Sequence, residues 1–140
     1  MSQLKAAITI RRPPTKVFAE LTDFSKWPRW QGGLARVEQV SAGPLQVGSQ
    51  LRQTRTSGNP RESLMEVTHL IPDRVLGLNS PSRPIAWRGT FTIEPVEDNC
   101  QLTLQFEIRA TGLAGILADL IIRLTLNQEL KMFKAMVETA

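Results

Sequence analysis

With one histidine, one cysteine and no tyrosine, this sequence of 140 residues has few groups able to move a proton near neutral pH. His69 is the best acid or base on offer, because an imidazole titrates close to physiological pH. It follows Met65 and Val67 in a two-residue register with Ile71, which places it on the more apolar face of its strand. A packed or rim histidine, a ligand contact and a proton-transfer group are all compatible with that position. An ordinary zinc site is not, since no second His or matching Cys is present and Glu62 and Glu66 fall on the opposite strand face. Ser63 and Thr68 lack a Gly-x-Ser-x-Gly elbow, so nucleophilic catalysis has no support. Cys100 stands at a strand start after a turn and reads as structural. As the lone thiol it excludes an intramolecular disulfide framework and fits a reducing compartment.

Arg55 offers a different chemistry, the fixed fork of donors that suits a carboxylate, phosphate or carbonyl. If Leu51 points inward, the pleat turns Gln53 and Arg55 inward as well, adding two polar groups to an otherwise apolar surface. The alternative is an edge strand on which Arg52 and Thr54 form the inner face and Arg55 reaches solvent. Trp27, Trp30 and Trp87 are large rings whose indole N–H needs a partner when buried. Trp27 and Trp30 are three apart and share a helix face, either closing the mouth of a pocket or pinning small helices to the domain.

These residues need elements to hold them. Leu4, Ala6, Ile8 and Ile10 alternate with Lys5, Ala7 and Thr9, the period of a half-buried strand that ends at Arg11-Arg12. Pro13-Pro14 then enters a helix carrying Val17, Phe18 and Leu21, and Asp23 can cap a second short helix over 24–31. Strands are expected at about 35–40, 49–56, 62–71, 75–79 and 85–94. In a final strand after the Glu97-Asp98-Asn99 turn, Leu102, Leu104, Phe106, Ile108 and Ala110 alternate with Gln101, Thr103, Gln105, Glu107 and Arg109, and the strand before it repeats the pattern with Ile85, Trp87, Gly89, Phe91 and Ile93. From Gly115 no breaker appears, which predicts a closing helix of more than 20 residues. On it Leu113, Ile116, Leu117, Leu120 and Leu124 share one face, while Leu126, Leu130, Phe133 and Val137 cluster more than a quarter turn away. Either the helix bends near residues 125–127 or its halves face different surroundings.

Size and composition fit one globular domain over residues 1–140. Hydrophobic residues at 41% exclude a disordered chain. The net charge is +4, with ten basic and three acidic groups in residues 1–61 against seven and ten in 62–140. The basic residues form no run and no nucleic-acid-reading motif accompanies them, so a solvated surface is favoured, with steering of anionic ligands or docking on an anionic surface as the alternatives. Residues 1–10 lack a secretory layout. Leu113 to Leu126 is interrupted by Asp119 and Arg123 and is too short to span a bilayer. A cytoplasmic protein is the reading.

The order of strand, two small helices, six strands and long helix resembles the helix-grip fold of the START-like and birch-pollen-allergen superfamily (SRPBCC), and most closely its polyketide cyclase/dehydrase and lipid transport branch. The residues that carry the likeness are Ile8-Thr9-Ile10, Pro13-Pro14 and Val17-Phe18, then Leu21-Thr22-Asp23-Phe24 running into Trp27-Pro28-Arg29-Trp30. Val47-Gly48, Glu66-Val67-Thr68 with Pro72, and Glu94-Pro95 extend it over nearly the whole chain. Asp98-Asn99-Cys100 departs from the Gly-Gly-Thr often found there, and the short Gly112 to Gly115 segment argues against a long lid. The resemblance implies an α+β fold in which a curved antiparallel sheet of about seven strands wraps a long C-terminal helix around a pocket for apolar or amphipathic molecules.

The expected function is therefore binding of a small hydrophobic or amphipathic ligand, as carrier or sensor, with no cofactor and no metal. Trp30, Gln53, Arg55, His69, Trp87, Phe91, Phe106, Leu120 and Leu124 are the candidate ligand-binding residues. Two alternatives stand beside it. One is an aromatase/cyclase-like enzyme that folds a poly-carbonyl chain. The other is an interaction module or homodimer that uses the stripe Leu126, Leu130, Phe133 and Val137.

Overall fold

The computed structural model describes residues 2–58, 61–81, 85–110 and 112–140. Strand β1 (Ser2–Ile10) leads into helix α1 (Pro14–Leu21), whose first turn is opened by Pro14, and then into a 3₁₀ helix, Phe24–Arg29. Six strands follow: β2 (Leu34–Gln39), β3 (Gln50–Arg55), β4 (Glu62–Ile71), β5 (Val75–Ser80), β6 (Ile85–Val96) and β7 (Asn99–Ala110). They form one antiparallel sheet in the order β1-β7-β6-β5-β4-β3-β2, so β1 and β2 are its edges. Helix α2 (Gly112–Thr139) closes the chain. This is the helix-grip architecture expected from the element order. The expected breaker over residues 80–84 lies partly outside the described residues, as do the side chains of Ile85 and Ala110.

Local chemistry explains the departures. The second short helix is 3₁₀ and ends at Arg29, two residues before the expected Gln31, and Pro28 inside it supplies no N–H to bond back to the first turn. Asp23 stands at its N-cap position without a side-chain cap; its carboxylate accepts instead from Ser25 Oγ at 2.6 Å. In β4 the alternation breaks. Met65 and Val67 are buried, but the register shifts between Val67 and His69, after which Leu70 packs on the core and His69 and Ile71 are exposed. A bulge of this kind flips every later side chain to the other face. The His69 ring lies over Gly77 instead, where a Cβ would come within 2.8 Å of Nδ1.

The core joins the inner sheet face to α1, the 3₁₀ helix and the second half of α2. Leu126, Leu130, Phe133 and Val137 are all buried in it, which corrects their assignment to a partner surface. Polar contacts fix that half of α2 to the end of β1: Glu138 accepts from the Arg11 backbone N–H at 2.8 Å and from Lys134 at 2.7 Å, and the Arg12 guanidinium donates to the Glu138 carbonyl. These contacts hold the Glu138 carboxyl below its ordinary pKa, the Lys134 bond contributing most. The first half of α2 is different. Leu113, Ile116, Leu117, Leu120 and Leu124, with Ile121 beside them, are 51–73% exposed, so this apolar row faces solvent. Of the two arrangements open from sequence, two halves in different surroundings is the one observed.

Candidate functional site

Between the inner sheet face, the 3₁₀ helix and the middle of α2 lies a cavity of about 920 Å³, within the size range of small-molecule sites. Its walls are aromatic and aliphatic. Trp27 comes from the 3₁₀ helix and Trp30 from its C-cap, Trp87 and Phe91 from β6, Leu104 and Phe106 from β7, and Ile122, Leu126 and Leu130 from α2. Gly89 makes one wall possible. It pairs with Phe106 across the β6–β7 ladder, and a Cβ there would stand 3.2 Å from the Phe106 ring, which stacks on Trp87 at a centroid distance of 5.2 Å.

The tryptophan inside the 3₁₀ helix and the one at its C-cap do different things. Trp27 pins the helix, donating its indole N–H to the Leu21 carbonyl at 2.8 Å from a buried position. Trp30 is wedged edge-on between Phe91 and Phe133 and is 3% exposed, yet its Nε1 has no hydrogen-bond partner. A buried N–H without an acceptor costs about 1–3 kcal/mol, and this one is shielded by the neighbouring rings and does not open onto the cavity.

Polar groups gather on β3 and on the facing helix. Leu51 and Gln53 are buried and Arg52 pairs outward with Glu38 at 3.3 Å, so the inner face of β3 is the odd-numbered one. β3 is flanked by β2 and β4 and is not an edge. Gln53 is 3% exposed, and with its amide oxygen turned to Arg55 it accepts from Nη2 at 2.7 Å and Nε at 3.2 Å. Arg55 is exposed at the strand end and lines the cavity at the same time, a guanidinium held at the rim. Ser63, Ser80, Thr125 and Gln128 add smaller polar groups, and the Ser80 hydroxyl is already committed to the Leu64 carbonyl at 3.1 Å.

Glu129 completes the polar set. It lines the cavity from α2, and desolvation pushes its carboxyl up to about 7, with Arg55 pulling the other way through space. Arg29, Arg55 and Glu129 are the charged residues among the described lining. Sequence reasoning passed over Glu129. A signal was present: it interrupts the row Ile122, Leu126, Phe133 at helical spacing, a carboxylate at the border of a buried face.

Of the nine residues singled out from sequence, Trp30, Gln53, Arg55, Trp87, Phe91 and Phe106 line this cavity. The other three do not. His69 is turned to the outer sheet face by the β4 bulge, with Nδ1 3.0 Å from Thr68 Oγ1. Leu120 and Leu124 point to solvent because the first half of α2 presents its apolar row outward. Cys100 is buried, and burial raises its thiol pKa, which fits a structural role. Among the described residues no cluster of three or more potential metal ligands occurs, and no helix is long and apolar enough to cross a membrane.

Comparison with known proteins agrees with this architecture. Residues 1–138 match the family model "Polyketide cyclase / dehydrase and lipid transport", and the chain belongs to that family. No curated protein matches it significantly. Among solved structures it is similar to a START superfamily protein from Mycobacterium smegmatis, with a TM-score of 0.79 and 14% identity over 98% of this chain and 97% of the other. It is also similar to Zhui, a Streptomyces aromatase/cyclase, with a TM-score of 0.78 and 16% identity over 98% and 93%. The di-domain ARO/CYC protein BexL aligns at a TM-score of 0.78 and 22% identity over 99% of this chain, which spans about half of that protein's length, 47%. At these identities the likeness is one of fold.

Proposed function

We propose that this protein reversibly binds one small hydrophobic or amphipathic molecule in the cavity between sheet and α2, with the polar end of the ligand seated at Arg55 and Gln53. The observation that carries the reading is the distribution of polarity in the cavity. Five aromatic side chains line its walls, while the Arg55 guanidinium, held by the Gln53 amide oxygen, offers charged donors at the rim. Apolar burial supplies affinity and the fixed donors supply orientation. An apolar fluorescent probe should bind one site per chain, quench tryptophan emission, and compete with long-chain or polycyclic lipids. Arg55→Met should weaken acidic ligands about 5- to 30-fold, the effect of a lost charge-assisted hydrogen bond, and leave neutral analogues nearly unchanged. Equal loss for both would sink the assignment of Arg55 as polar anchor.

One observation favours a second reading, an aromatase/cyclase-like enzyme. Glu129 carries a carboxyl whose pKa of about 7 suits general acid–base work on a substrate held in the same cavity. Confinement of a poly-carbonyl chain beside it would favour one ring closure. Under this reading Glu129→Gln abolishes cyclisation of a poly-β-carbonyl substrate while probe binding persists. Under the carrier reading the wild-type protein leaves such a substrate at its uncatalysed rate.

A further inference from the structure

We propose that the first half of α2 docks on an anionic lipid bilayer and holds the cavity mouth against it. At 100° per residue, Leu113, Ile116, Leu117, Leu120, Ile121 and Leu124 occupy a sector about 140° wide, centred roughly 140° away from the buried row Leu126 to Val137. All six are more than half exposed. Six large apolar side chains on three to four turns are more than the scattered surface hydrophobes of an ordinary protein. The row has a place as well as a composition: Ile121 belongs both to it and to the cavity lining, so the stripe runs to the rim of the cavity.

Charge at that rim selects the occupant. The described lining carries the exposed cations Arg29 and Arg55, and its one acid, Glu129, is half-buried and disfavoured in its charged form. Asp119, the one acid between Gly112 and Gln128, is held by Arg123 Nε at 3.0 Å. An apolar stripe beside two exposed guanidinium groups matches an acyl–headgroup boundary that carries negative lipid. A second copy fits less well. A self-complementary contact would seat this basic rim on a copy that presents the same basic rim and no exposed acid in its described lining. A bilayer demands no matching surface and accepts side chains to a depth of about 5–10 Å. Seated this way, the cavity would exchange an apolar ligand with the membrane without exposing it to water.

Co-sedimentation of the full chain with vesicles tests this, using phosphatidylcholine alone and phosphatidylcholine mixed with phosphatidylglycerol. Retention is expected on the anionic vesicles, falling as salt is raised, and the double variant Leu113→Asp with Leu117→Asp should bind at least about tenfold more weakly. Both side chains are exposed, so the variant should keep the wild-type circular dichroism and melting temperature. An environment-sensitive dye on Ile116→Cys should shift to the blue on anionic vesicles. Lack of retention, or retention that the double variant does not change, overturns the proposal. So does a dimer that forms without lipid and is abolished by the double variant, since the stripe then belongs to a second copy. Probe binding in lipid-free solution reports on the cavity separately, so a failure of docking and a failure of ligand binding are distinguishable.

Discussion

Replacing Glu129 by Gln should make the protein more stable at pH 8 and leave it nearly unchanged at pH 5. Desolvation raises the Glu129 carboxyl from 4.5 to about 7. Below pH 4.5 the folded and unfolded chains both carry the proton, and this group adds no pH dependence. Between 4.5 and about 7 the unfolded chain loses the proton while the folded chain keeps it, so stability declines as pH rises, and the loss is complete above the folded value. A shift of this size corresponds to a ceiling of about 3 kcal/mol, and contact with solvent through the cavity reduces it to about 1–2 kcal/mol. For a chain of this length that is a difference of about 3–7 °C in melting temperature. Glu20 and Glu138 have lowered values, so their contributions change below this window and do not mask it. Thermal unfolding of wild type and Glu129→Gln across pH 5 to 8 is the assay. Wild-type stability should fall relative to the variant as pH rises, and Arg55→Met should move the transition to higher pH because Arg55 opposes the shift. Parallel curves for wild type and variant would refute the placement of Glu129 in a desolvated wall.

The two halves of α2 should respond oppositely to truncation. Phe133→Ala should cost about 3–5 kcal/mol because Phe133 is fully buried, whereas Leu124→Ala should stay within about 0.5 kcal/mol because that side chain is 73% exposed; chemical denaturation of both compares them directly, and a larger loss at Leu124 would overturn the division of the helix. Gly77→Ala should destabilise the sheet by about 1–3 kcal/mol, since its Cβ would meet Thr68 Oγ1 and His69 Nδ1 at 2.8 Å. Adding His69→Ala should restore part of that loss, and a Gly77→Ala protein of wild-type stability would contradict the position of His69 on the outer face.

The alternation in β1, β6 and β7 and the long run without breakers from Gly115 are sufficient to read the element order, because hydrophobic periodicity reports local geometry directly. The same pattern placed Trp87, Phe91 and Phe106 on an inner face, and the apolar character of Leu51 carried Gln53 and Arg55 with it. His69 was misplaced for the same reason. Period-two counting assumes an unbroken ladder, and the bulge between Val67 and His69 arises from how β4 meets β5, a pairing with no local signature. The two stripes on α2 were visible in sequence, but which one is buried was not. Both are apolar, and the choice falls to what they meet in three dimensions: the second half is fixed to β1 through Glu138 and packs on Trp30, while the first half extends past the core beside the cavity. The value of about 7 for Glu129 likewise depends on tertiary structure, since the walls that desolvate it come from segments distant in sequence.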